Sequence, residues 1–97
     1  MSYVLHPEAA REHEQQVAYY QERQRGLGQR YHLAFRRAVA AACATPTRFR
    51  IVREPQIRKV GLKGFPFDVV YREAGGDVQV LAVAHHRRRP EYWIGRL

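Results

Sequence analysis

Apolar and polar residues change their period once along this chain, and the change divides it into a helical half and a strand half. Tyr3, Val4 and Leu5 form a short apolar run that reads as a strand. His6-Pro7-Glu8 reads as a helix start, because proline's fixed φ suits the first turn and a glutamate there faces the positive end of the helix. From Pro7 to Gln24, Ala9, Ala10, His13, Val17, Tyr20 and Gln24 recur at three- and four-residue steps, with Glu12, Gln15, Glu22 and Arg23 on the opposite face. That spacing predicts an amphipathic helix. Gly26-Leu27-Gly28 interrupts the pattern as an interhelical turn, and Tyr31, Phe35, Ala38, Val39 and Ala42 restart it until Thr45-Pro46 stops a second helix. The two helices are expected to form a hairpin.

After Pro46 the pattern shortens to segments rich in Val, Ile, Phe and Tyr: Phe49 to Val52, Ile57 to Leu62, Phe65 to Arg72 and Val78 to His85. These predict strands. Glu54-Pro55, Lys63-Gly64 and Gly75-Gly76-Asp77 separate them, and the last is a strong hairpin turn because glycine adopts positive φ freely. Consecutive strands are therefore expected to pair antiparallel. Alternation from Val78 to Ala84 is imperfect, which suits a central strand covered on both faces. The expected architecture is one α+β domain over residues 1–97, in the order β-α-α-β-β-β with room for one more short strand, its helical hairpin packed on one face of an antiparallel sheet.

Composition adds a strong electrostatic bias. The net charge is +8, with 17 Lys and Arg against 9 Asp and Glu, and the only lysines are Lys59 and Lys63. Residues 48–97 carry nine Arg and two Lys against five acids, so the strand half is the more basic one. Such a face suits nucleic acid, a phosphate-rich particle or an acidic protein segment, and charge alone does not choose among them. Cys43 is the only cysteine, which excludes a disulfide within the chain and suits a small buried hydrophobe. The longest apolar run, Ala38 to Ala44, is far short of a membrane span, and a cytoplasmic protein with no membrane partner is expected. His6, His13 and His32 match no common zinc spacing, and His85 and His86, adjacent on a strand, should face opposite ways with one packed and one exposed. No metal site and no cofactor are expected.

Three pieces of sequence carry a family resemblance: His6-Pro7-Glu8-Ala9 before the first helix, Phe65-Pro66-Phe67 opening a strand that runs through Tyr71, and Ala84-His85-His86-Arg87-Arg88-Arg89-Pro90-Glu91-Tyr92-Trp93. With Tyr19-Tyr20 and Leu27-Gly28, they make the chain similar to the RelE/ParE superfamily from His6 to Arg96. The resemblance implies the toxin of a type II toxin-antitoxin, or plasmid stabilisation, system. It also implies a hetero-oligomer with a cognate antitoxin whose partly disordered acidic tail folds onto the toxin. Tyr19, Tyr20, Leu27 and Tyr31 are the candidate antitoxin contacts, whereas Phe35 reads as core.

Members of that superfamily divide between RelE-like endonucleases, which cut mRNA on the ribosome, and ParE-like proteins that target DNA gyrase. The positions of this chain matching the RelE-like set are Lys59, Arg87, Tyr92 and Trp93, but Asp68 stands where that pattern carries Arg. An acid there would repel phosphate and weaken stabilisation of the developing negative charge. Arg58, Lys63, Arg72 or Arg88 could supply charge from nearby positions, depending on strand register. A ParE-like growth inhibitor acting on gyrase is thus the leading reading, leaning away from an enzyme. An mRNA endonuclease is the second, and a non-toxic basic nucleic-acid-binding domain the third. His86, Arg87, Arg88, Arg89, Tyr92 and Trp93 form the candidate target-binding surface, since guanidinium groups beside aromatic rings make an anion-binding and stacking patch.

Overall fold

A computed structural model describes all 97 residues. Strand β1 (Tyr3–Leu5) leads into helices α1 (Pro7–Arg23) and α2 (Leu27–Ala44), followed by strands β2 (Arg50–Arg53), β3 (Ile57–Gly61), β4 (Phe67–Ala74) and β5 (Asp77–His85), and a 3-10 turn at Ile94–Arg96. The predicted α+β order holds, with its optional extra strand present. The five strands form one sheet in the order β1-β5-β4-β3-β2. All neighbours from β2 to β5 are antiparallel, but β1 runs parallel to β5, pairing Tyr3 with Val78 and Leu5 with Val80. The sheet is therefore mostly rather than wholly antiparallel. A first strand that rejoins the sheet after a helical hairpin has no tight turn to reverse it, so its direction is free to differ.

Helix α1 starts where Pro7 and Glu8 indicated, and its cap is His6, whose Nδ1 accepts the Glu8 N–H at 3.1 Å. The break between the helices differs from expectation. The chain turns through extended Gln24 and left-handed Gly26, while Leu27 and Gly28 already belong to α2. Gly28 serves packing instead. A Cβ there would lie 2.5 Å from the Val17 carbonyl oxygen and 2.9 Å from Gln21 Cβ, so only glycine lets α2 begin against α1.

The main core lies between hairpin and sheet. Tyr31, Phe35, Ala38, Val39 and Ala42 of α2 and Ala9 of α1 meet Val60, Phe67, Val69, Tyr71, Val78, Val80 and Val83. A smaller core covers the opposite sheet face, where Trp93 packs on Ile57, Val70, Leu81 and Ala82. The imperfect alternation of β5 has a second cause besides this double covering. The register steps from Val70 opposite Ala82 to Tyr71 opposite Val80, so Leu81 is the extra residue of a β-bulge. Gly75 and Gly76, with φ of 60° and 83°, form the two-residue turn expected between β4 and β5. Cys43 is half-buried against the main core, and burial pushes its thiol up from the ordinary value.

His13 is the one buried charged or polar side chain. Its ring stacks on Phe35, its Nε2 lies 2.8 Å from His32 Nδ1 across the helix interface, and its Nδ1 has no partner. Burial, with His32 alongside, lowers its pKa from 6.5 to about 4. A lowered histidine pKa means that the unfolded chain takes up the proton first, so folding stability falls as pH drops from 6.5 towards 4. We expect urea denaturation to show a loss of about 3 kcal/mol over that window, largely abolished in His13→Leu. Gly28→Ala is expected to cost about 2 kcal/mol at neutral pH by the same measurement, as overpacking at a helix contact does.

Candidate functional site

Register decides which side chains share the sheet face away from the hairpin. Lys59 pairs with Val70, and Gly61 with Asp68, so Lys59, Asp68 and Val70 all point to that face. The chain after β5 turns across it: His86 N–H donates to the Pro66 carbonyl oxygen and Arg88 N–H to that of His85. Trp93 then plugs the smaller core at 4% exposure. A half-open cavity of about 240 Å³ remains between sheet and returning segment, floored by Val52, Val70, Ala84 and Trp93 and rimmed by Lys59, His86, Arg88 and Arg89.

Asp68 sits in this cavity with little exposure, its carboxylate 3.5 Å from Lys59 Nζ and 3.4 Å from His86 Nε2. It neutralises the ammonium and holds the imidazole, leaving the arginines as the unpaired cations of the rim. Arg88 lies over the Tyr92 ring, 3.8 Å from its centroid, a cation–π contact that presents the guanidinium at the groove mouth. Beside the rim, Arg53 and Glu91 form a 2.8 Å ion pair across the returning segment.

Two further grooves flank the hairpin. One, between α2 and β3, has an apolar floor including Leu33, Ala34, Ala38, Phe49 and Phe65 and is edged by Arg30, Arg37, Arg48 and Lys63 with no acid. The other gathers Tyr19, Tyr20, Arg23, Leu27 and His85.

A sequence model of the family described as "ParE toxin of type II toxin-antitoxin system, parDE" matches residues 3–90. The chain belongs to the ParE toxin family. A solved structure described as "Chromosomal ParDE TA system from P. aeruginosa" superposes on the toxin with a TM-score of 0.71, covering 88% of this chain and 95% of that one at 20% identity, which shows a shared fold. No curated protein matches the sequence. No helix of the toxin is long and apolar enough to cross a membrane.

Of the six candidate target-binding residues, His86, Arg88, Arg89, Tyr92 and Trp93 line one cavity, but Arg87 does not. The arginine triplet lies in a turn beyond β5, so its members diverge. Trp93 is corrected from a surface contact to a core residue, because its ring is the plug that closes the second core. Tyr92 is corrected from a free stacking ring to a tethered one, its Oη donating to Glu12 Oε2 at 2.6 Å while Arg88 covers a face. Of the RelE-like set, Lys59, Tyr92 and Trp93 line this cavity and Arg87 lies outside it; Lys59 is paired with Asp68, Tyr92 tethered and Trp93 buried. Arg58 donates to the Phe49 carbonyl oxygen and Arg72 to Gln79, and Lys63 edges the α2 groove, so of the alternative cations only Arg88 reaches the cavity.

Tyr19, Tyr20 and Leu27 do converge on one groove, whereas Tyr31 is fully buried beneath them, its ring edge-on to Phe65 and Phe67. Tyr31 is thereby corrected to core, since position 31 falls on the inward stripe of α2. His85 packs edge-on against Phe67 and His86 is exposed, so one is packed and one exposed as expected, but β5 ends at His85 and His86 already lies in the turn.

Sequence reasoning missed Glu12. The helical period put it on the solvent face, yet its carboxylate accepts from Tyr92 Oη, from Arg96 Nη1 and Nη2 at 2.8 and 3.0 Å, and from Val83 N–H at 3.1 Å. Burial alone would raise its pKa, but the donors from Arg96, Tyr92 and Val83 outweigh that and hold the carboxyl below its ordinary value. Trp93→Ala is expected to destabilise the toxin by about 3–5 kcal/mol in urea denaturation, as loss of a buried Trp does. Arg87→Ala, on the exposed turn, is expected to leave stability unchanged within error.

Proposed function

We propose that this toxin inhibits growth by binding a protein target, DNA gyrase, through the cavity rimmed by Lys59, His86, Arg88 and Arg89. The observation that carries this reading is the Arg88–Tyr92 stack beside Arg89: one guanidinium held on a ring and a second lining the same partly apolar groove, suited to a carboxylate-bearing protein surface. Asp68 weighs against the endonuclease reading, because it occupies Lys59 and places a negative charge in the cavity that would repel a phosphate.

Neutralisation belongs to the hairpin side. A cognate antitoxin with an acidic, partly disordered tail would lay its apolar residues on Leu33, Ala38 and Phe49 and pair its acids with Arg30, Arg37, Arg48 and Lys63. Tyr19, Tyr20 and Leu27 supply a second contact beyond the helix turn. The complex is a cytoplasmic hetero-oligomer needing no cofactor.

Inducing the toxin in a bacterium while following thymidine and amino-acid incorporation tests the target. DNA synthesis is expected to fail first, and purified toxin to block supercoiling by gyrase. Early failure of protein synthesis, or normal supercoiling at excess toxin, would point to the ribosome. Arg88→Ala with Arg89→Ala is expected to abolish growth arrest in a still folded protein, because exposed charges contribute little to stability. Arg87→Ala should arrest growth as the parent does.

A further inference from the structure

The cationic rim does not support itself. Residues 86–91 belong to no helix or strand, and Glu91 has a φ of 59°. Backbone hydrogen bonds from His86 to Pro66 and from Arg88 to His85 hold the start of the segment, while the Arg88 guanidinium rests on Tyr92, which follows it. Tyr92 provides the platform, with Arg88 3.8 Å and Arg96 5.1 Å from its ring centroid. The platform is in turn fixed through its hydroxyl, which donates to Glu12 at 2.6 Å, and Glu12 stands on α1.

The site of this grip is unusual. Strand β1 covers β5 only as far as Val80, leaving the next stretch of that edge without a strand partner. Glu12 accepts the Val83 N–H there and Arg96 donates to the Leu81 carbonyl oxygen at 3.0 Å, so the ion pair takes over the edge. One carboxylate thus receives donors from helix-side sheet backbone and from the segment that builds the rim on the other face.

We propose that Glu12 is a positioning residue for target binding: it orients the Tyr92 ring on which the Arg88 guanidinium rests, and thereby sets where that cation meets a partner's carboxylate. The proposal rests on the assignment of the cavity to the target. A glutamine at position 12 could still accept one bond, but its amide would present N–H groups to Arg96, a donor facing a donor. Phenylalanine at position 92 would keep the platform and lose only the tether.

A purely structural staple and a positioning residue differ in how their loss combines with loss of Arg88. Residues acting through one another are non-additive, whereas independent ones multiply their effects. The experiment is the rate of loss of colony-forming units after induction, at matched toxin levels, for Glu12→Gln and Tyr92→Phe in the parent and in an Arg88→Ala background. Each change is expected to slow killing by about ten-fold in the parent but less than about two-fold when Arg88 is already absent. Fluorescence of Trp93, the only tryptophan, is expected to become more readily quenched by acrylamide in Glu12→Gln while far-UV circular dichroism stays constant.

Equal fold-losses in both backgrounds would make Glu12 a mere staple, and parental killing by both Glu12→Gln and Tyr92→Phe would end the proposal outright. Should Glu12→Gln fail to fold, Tyr92→Phe decides by the same comparison. Parental killing by Arg88→Ala would instead overturn the assignment of the cavity itself, and the positioning role with it.

Discussion

The pairing of β4 with β5 governs the placement of everything else in this toxin. Its register sets Phe67, Val69 and Tyr71 against the helices and turns Asp68 and Val70 the other way. Its bulge at Leu81 lets β5 serve two cores, giving Val78, Val80 and Val83 to the hairpin side and Leu81 and Ala82 to Trp93. Without the bulge, strict alternation from Val80 would turn Ala82 towards the hairpin and Val83 away from it. The cavity exists because the second core stops short of covering Asp68 and Lys59, so the same strand pair that stabilises the domain also leaves the candidate surface open.

Charge in the cavity is partitioned by burial. Asp68 lies low and engages Lys59 and His86, while Arg88 and Arg89 stay at the mouth. Cations that retain water and stack on a ring can exchange solvent for a partner's carboxylate at small cost, whereas Lys59 would first have to leave Asp68. The acid that departs from the RelE-like pattern lies between Lys59 and His86, whereas neither Arg88 nor Arg89 has an acid partner.

Much of the fold was legible because it depends on local periodicity. The helix start at Pro7, the stop at Thr45-Pro46, the Gly75-Gly76 turn and the burial of Phe35 follow from spacing and backbone preference. What escaped depends on contacts between distant residues. Periodicity gave Glu12 a face but could not show that a segment some eighty positions later returns to that face. Tyr31 lay within an aromatic cluster whose depth only tertiary packing defines. That Arg87 misses the cavity while Arg88 and Arg89 line it follows from the path of the turn after His85, which spacing does not define, and Gly28 looked like a turn glycine because close helix approach leaves no signature distinct from flexibility. The candidate surface was found as a segment, and its members were sorted only by the fold.

The hairpin and the sheet also differ in how far apart along the chain their partners stand. Helices α1 and α2 are neighbours in sequence, whereas Tyr3 meets Val78 and Glu12 meets Arg96. During synthesis the hairpin can form early from local contacts, yet its apolar face has no cover until β5 has followed. A nascent toxin therefore passes through a stage that exposes Tyr31, Phe35 and Val39 while lacking any assembled rim. The last segment to be made, with Tyr92, Trp93 and Arg96, is thus the one that closes both the second core and the β5 edge.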